Sequence, residues 1–120
     1  PDSCMAEVFE LAAQGLFSVM VDIDTVEERQ AMDIDVTSSD VEALLVQWLN
    51  ELLYHSEVED MLLKRFDVLE LSQTHIRAQC YGEVIDRQRH NLLSGVKAAT
   101  YHMVQVRKNS QFYARVILDI

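Results

Sequence analysis

The sequence predicts an α+β fold in which two main helices pack on a mostly antiparallel sheet. Apolar residues recur at helical spacing in two stretches of the first half, and apolar and polar residues alternate through much of the second half. One proline and three glycines in 120 residues leave long elements unbroken, with no low-complexity tract and no solenoid period.

Asp2 or Ser3 can cap a first helix in which Met5, Val8, Phe9, Ala12, Ala13, Leu16 and Phe17 share one face, ending near Met20. Asp22-Ile23-Asp24-Thr25 then makes a polar connection. Its two carboxylates suit turn and capping chemistry, and their oxygens also suit a hard cation. Met32, Ile34 and Val36 alternate with Asp33 and Asp35 as a half-buried strand. Ser39 and Glu42 read as a capping box. The second helix follows, with Val41, Leu44, Leu45, Trp48, Leu49, Leu52 and Leu53 on one stripe. That stripe is read as a core face, anchored by Trp48 and Tyr54.

After Asp60 the period becomes two. Phe66 and Val68, then Leu69 and Leu71 after a phase slip, predict a strand with a bulge. From Thr74 to Tyr81, Ile76, Ala78 and Cys80 fall on one face, and Gly82 is expected to end the strand. Asp86 to Asn91 reads as a loop or short helix. Strands from about Lys97 to Lys108 and Phe112 to Asp119, joined through Asn109-Ser110, complete the pattern.

The chain reads as a single domain, 1–120, with no membrane span: runs such as Val116-Ile117-Leu118 are far shorter than the roughly 20 residues a spanning helix needs. Its start does not read as a leader peptide. Cys4 and Cys80 have no CxxC spacing and form no disulfide framework, so small buried thiols in a reducing, cytoplasmic setting are expected. A formal net charge of -10 repels the phosphate backbone and disfavours strong direct nucleic-acid binding. The cations are concentrated late, from Lys64 onward, with only Arg29 before it. That asymmetry allows one local basic face, although ordinary solvated surface is the default reading of each member.

No P-loop, GxGxxG, GxSxG, HExxH or EF-hand pattern occurs. His55, His75, His90 and His102 are scattered without zinc spacing, and neither cysteine has an adjacent base. Asp119 is different. It ends an apolar strand read as core, where a carboxylate needs a partner. A salt bridge to Lys97 or another cation is one reading. The other is a cation site in which the Asp119 side chain and nearby main-chain oxygens bind Ca²⁺ or Mg²⁺ in preference to zinc.

Several segments together resemble the archease family. They are Glu7-Val8-Phe9-Glu10 with Ala12-Ala13 and Gly15-Leu16-Phe17, then Met20-Val21-Asp22, Thr25-Val26-Glu27 and Leu44 to Tyr54. Val96-Lys97-Ala98-Ala99-Thr100-Tyr101-His102 and Val116-Ile117-Leu118-Asp119-Ile120 follow, in the same order, so that the likeness covers nearly the whole chain. The resemblance implies an α+β fold built from strand-helix-strand-strand units. It further implies a non-enzymatic role as activator of an RtcB-type RNA-splicing ligase, and a divalent metal, usually calcium. Carried onto matching positions, Asp119 would coordinate calcium through its side chain and Ile120 through a main-chain oxygen. Lys97 becomes the candidate for acting on the ligase, with Tyr101 and His102 on the same surface.

Two departures stand out. Family members begin with a strand carrying His-Thr-Ala-Asp, whose Asp supplies a further metal ligand, and no counterpart is present. The expectation is an incomplete metal site, with dimerisation or strand exchange open to the chain. Members also read Gly-Thr-Glu-Val-Lys where this chain has Leu93-Ser94-Gly95-Val96-Lys97.

The leading expectation is therefore a non-catalytic activator that promotes guanylylation and multiple turnover of a tRNA-splicing ligase. The alternative is a chaperone-like, metal-binding adaptor for RNA-modifying enzymes such as tRNA methyltransferases.

Overall fold

The computed structural model describes residues 3–109 and 111–120, with side chains from 5 to 108 and from 112 to 120. The expected Asp2 or Ser3 cap, the burial of Cys4 and the Asn109-Ser110 turn lie outside the described residues. Helix α1 (Ser3–Met20) leads through a short 3-10 turn (Ile23–Thr25) to β1 (Gln30–Thr37), α2 (Val41–Glu59), β2 (Met61–Leu71) and β3 (His75–Val84). An irregular stretch then leads to β4 (Ala98–Asn109) and β5 (Gln111–Asp119). All pairings are antiparallel, and the strands divide between a three-stranded sheet of order β1-β3-β2 and a two-stranded β4-β5 ribbon. The segment β1-α2-β2-β3 is one strand-helix-strand-strand unit.

Both helices touch both sheets: α1 contacts β2 and β5, and α2 contacts β1, β2 and β4. Phe9, Ala13, Leu16 and Phe17 of α1 meet Leu44, Trp48, Leu49 and Leu52 of α2 in one core. Phe66 of β2 centres it, with ring centroids 5.8 Å from Phe17 and 6.3 Å from Trp48. Trp48 is fully buried and its indole N–H donates to the Phe9 carbonyl at 3.0 Å, so its polar tip is satisfied. Val106, Ala114, Val116 and Leu118 bring the ribbon's inner face onto this core.

Four local readings are corrected. The cap of α2 is Asp40, whose carboxylate accepts the Ala43 N–H at 2.8 Å, so Ser39 and Glu42 form no capping box. A charged acceptor at the N-cap also meets the positive end of the helix dipole. Tyr54 does not anchor the helix: it is 57% exposed, one position past the buried stripe, and its ring lies edge-on to His55. Gly82 does not end β3. It sits inside the strand, where a Cβ would lie 1.9 Å from the Leu62 carbonyl oxygen, so close backbone approach explains it. The fourth concerns Asp119, taken up with the site below.

The phase slip in β2 is a real irregularity between Val68 and Glu70, and a second occurs between Leu63 and Arg65. At the first, the Val68 N–H is satisfied by the Glu10 carboxylate of α1 at 3.0 Å. Among the described residues, no helix is long and apolar enough to cross a membrane.

Candidate functional site

The candidate site forms where the stretch leading into β4 crosses the ends of both helices. Residues 91–97 have few strand contacts of their own, so backbone bonds to α1 hold them. Asn91 O accepts the Asp22 N–H at 3.0 Å, the Leu93 N–H donates to Met20 O at 2.8 Å, and Val21 and Leu92 form an isolated bridge. Asp22, predicted as turn chemistry, caps the 3-10 turn through the Asp24 N–H.

Farther along, the Lys97 N–H donates to the Asp119 carbonyl at 2.6 Å and Ala98 stands opposite Asp119 in the ribbon register. On the other edge of β4, Asn50 of α2 grips Ala99 at both ends. Its Oδ1 accepts the Ala99 N–H at 2.7 Å, and its amide donates to Ala99 O at 3.0 Å. This side chain takes the place of a neighbouring strand.

The result is a slot of about 450 Å³ lined by Met20, Leu53, Ser56, Glu57, Gly95, Val96 and Lys97. Its floor is apolar. Its rim offers a hydroxyl, a carboxylate and an exposed ammonium group. No carboxylate pairs with Lys97 among the described residues, which leaves that ammonium free for an anionic group on a partner.

The structure brings Lys97, Asp119 and Ile120 together at one end of the ribbon. Asp119, expected in the core, is exposed: alternation points Phe112, Ala114, Val116 and Leu118 inward and Tyr113, Arg115, Ile117 and Asp119 outward. No salt bridge to Lys97 or another described cation replaces that reading; its link to Lys97 is through the backbone. Among the described residues, no three His, Cys, Asp or Glu side chains cluster as a metal site. One carboxylate and one main-chain oxygen fall short of the six to eight oxygens calcium takes, so this set alone does not fit a calcium shell.

Tyr101 and His102 lie on the same strand but farther along, within an irregular stretch where five steps of β4 from Thr100 to Gln105 oppose two of β5. Four residues of strand separate His102 from the Ala98–Asp119 pair, roughly 13 Å. Met103 completes the bulge with a left-handed backbone, φ 56°, and its carbonyl accepts the Arg115 Nε–H at 3.1 Å. Gln47 donates to the Tyr101 hydroxyl at 2.8 Å and orients the ring. Among the described residues, Thr100 Oγ1 is the buried side-chain polar atom without a partner.

The turn that leads into residues 91–97 belongs to a network that sequence reasoning missed. Glu83, at the end of β3, is buried. It accepts hydrogen bonds from the Glu27 amide at 2.7 Å, from His90 at 2.9 Å and from Arg89, with Arg29 at 3.3 Å. Burial alone would raise its carboxyl, but the bonds from Arg89, the Glu27 amide and His90 outweigh it and hold the group at about 2. The only sequence signal was a charge one step past an alternating strand, with arginines on either side in the chain. Cys80, by contrast, is buried on the core face, and burial pushes its thiol up to about 12, which leaves it unreactive.

Comparison with known proteins agrees with the fold and gives the family. The model of the Archease protein family (MTH1598/TM1083) matches residues 3–120. "Protein archease" of Methanosarcina acetivorans is 36% identical over 121 residues, covering 97% of this chain and 83% of that protein. Its namesake from Pyrococcus abyssi is 32% identical over 122 residues, covering 97% and 85%. The solution structure of Methanobacterium thermoautotrophicum protein 1598 superposes with a TM-score of 0.78 at 32% identity, covering 97% of this chain and 85% of that one.

Proposed function

The chain belongs to the archease family, and on that premise we propose that it is a non-catalytic activator of an RtcB-type RNA ligase, promoting the ligase's guanylylation and repeated turnover. Family membership supports, in general terms, an activator associated with a tRNA ligase. The observation that carries the finer reading is the fixation of Lys97. Its own amide is tied to Asp119, and Ala99, two residues on, is gripped by Asn50, while the side chain lines an open slot with no described carboxylate within ion-pair distance. A compact cation on a rigid strand end suits a phosphate or a bound nucleotide on a partner.

The charge balance fits the same division of labour. An acidic activator is drawn to a basic ligase, and the RNA is left chiefly to that ligase. Calcium enters this reading as a proposal: Asp119 and Ile120 contribute two oxygens, and water or carboxylates from another segment complete the shell.

Ligation assays under single- and multiple-turnover conditions test the function. With the protein present, each ligase molecule turns over many times; with Lys97→Met, turnover drops toward the ligase-only level while the variant's melting curve is unchanged. An unchanged number of turnovers on adding the wild-type protein ends this reading. Pull-down of a tRNA methyltransferase without the ligase would instead establish the adaptor role.

A further inference from the structure

The charge of this molecule is segregated in a way the total conceals. Nineteen of the twenty acidic residues lie at or before Asp86, and between Asp86 and Asp119 the chain carries six Lys or Arg and no carboxylate. The fold turns much of that acid-free stretch into the β4-β5 ribbon. Arg29, Arg65, Arg77 and Arg89 are all paired with carboxylates. Arg107, Lys108 and Arg115 have no such partner among the described residues, and every one of them is exposed.

Register decides which side chains share a surface. Gln105 stands opposite Arg115 and Arg107 opposite Tyr113, and paired residues of an antiparallel ladder point the same way. They alternate with the inward Val106, Ala114 and Val116, so Arg107, Arg115 and Tyr113 share the outer face. Tyr113 is 43% exposed. The bulge adds Tyr101, His102 and Met103 to the same ribbon, whereas Lys108 stands opposite the inward Phe112, 5.2 Å from its ring, and so does not share the outer face.

Unpaired cations flanking an exposed aromatic ring, as Arg107 and Arg115 flank Tyr113, suit a single nucleic-acid strand. Phosphates meet the cations, and bases stack on the ring. A protein partner with an acidic segment would use the cations but would have no need of the aromatic ring. The net charge of -10 does not forbid such a contact. At about 0.1 M salt, charges farther than about 10 Å are largely screened, so the local sign governs.

We infer that the outer face of the β4-β5 ribbon, through Arg107, Arg115 and Tyr113, is a weak, salt-labile binding surface for single-stranded RNA. This goes beyond the activator reading and stands or falls separately from it, because the measurement contains no ligase.

The test is fluorescence anisotropy of the intact chain with a labelled single-stranded oligoadenylate about a dozen nucleotides long. Two cations give a slope of log affinity against log salt of about −1.4, so affinity falls about 25-fold for a tenfold rise in salt. Arg107→Gln flattens the slope to about −0.7. Arg115 also holds the Met103 carbonyl, so Arg107→Gln, which leaves the bulge alone, is the preferred variant. Tyr113→Ala weakens binding about tenfold at unchanged slope, the signature of lost stacking. All these side chains are exposed, and unchanged melting curves certify folding. No binding at low salt overturns the inference. So does an unaltered slope in Arg107→Gln, or a polyglutamate of equal length binding as tightly as the RNA with no loss in Tyr113→Ala.

Discussion

Glu83 and His90 form a buried pair whose proton position is set by a third residue. The Asp86 N–H donates to His90 Nδ1 at 2.8 Å, so the ring proton sits on Nε2 and is donated to Glu83 at 2.9 Å. With the Glu27 amide, Arg89 and Arg29 on the same carboxylate, this pair ties the end of β3 to the approach of β1 and to the turn that precedes Lys97.

Glu83→Gln should therefore destabilise the fold by about 3 kcal/mol, since it removes one partner of a buried charged cluster. The pH dependence has a definite sign. The Glu83 carboxyl is lowered in the folded state from 4.5 to about 2, so its contribution is present above about pH 4.5 and is lost as pH falls toward 2. Urea denaturation across that window should show the wild type losing stability faster than Glu83→Gln. Parallel curves would mean that the network carries no net charge effect.

Asn50→Ala should cost about 2–4 kcal/mol, because the Ala99 N–H and C=O both lose their partner at a partly buried edge. Since Ala99 is two residues from Lys97, the same variant should also weaken ligase activation at temperatures where it remains folded. Thermal melts read the first effect and ligation turnover the second. Full activation by a destabilised but folded Asn50→Ala would show that the grip serves stability alone.

Met103→Gly should stabilise the protein by about 0.5–1 kcal/mol, because a left-handed backbone at φ 56° is strained for any residue with a Cβ. Met103→Ala keeps the strain and should give no gain. Comparing the two by chemical denaturation separates backbone from side chain. A loss of stability in the glycine variant would mean that the Met103 side chain, although exposed, holds the bulge.

Calorimetric titration with calcium should give weak binding for this 120-residue chain, with a heat that Asp119→Ala abolishes. The two oxygens that Asp119 and Ile120 supply are too few for a tight site. Tight binding unaffected by Asp119→Ala would place the ion elsewhere and remove the site assignment.

Local readings held wherever one element's own periodicity decided the outcome. The stripe from Leu44 to Leu53 is buried as read, the alternation of Met32, Ile34 and Val36 is a strand, and the slip after Val68 is a bulge. They failed where two nearby residues compete for one role. Asp40 displaced Ser39 at the cap, and Tyr54, beside a buried stripe, turned outward. Gly82 looks like a terminator from sequence because nothing local reveals the Leu62 carbonyl it must approach.

Sequence by itself determined the α+β class, both helices, the strand faces and the position of Lys97 next to an Asp119 strand end, since hydrophobic period and family pattern are properties of short stretches. Tertiary structure alone decided which polar groups are satisfied and by whom. Glu10 reaches the Val68 amide, Asn50 reaches Ala99 and Glu83 gathers Glu27 and His90, and two of those reaches cross more than fifty residues of chain. It also decided that Asp119 is exposed, and that Arg107 and Arg115 share a face with Tyr113. The physical reason is common to all of them. Burying apolar surface needs only a face, which a period supplies, whereas satisfying a donor, an acceptor or a charge needs one atom within about 3 Å, and only the packed chain sets that distance.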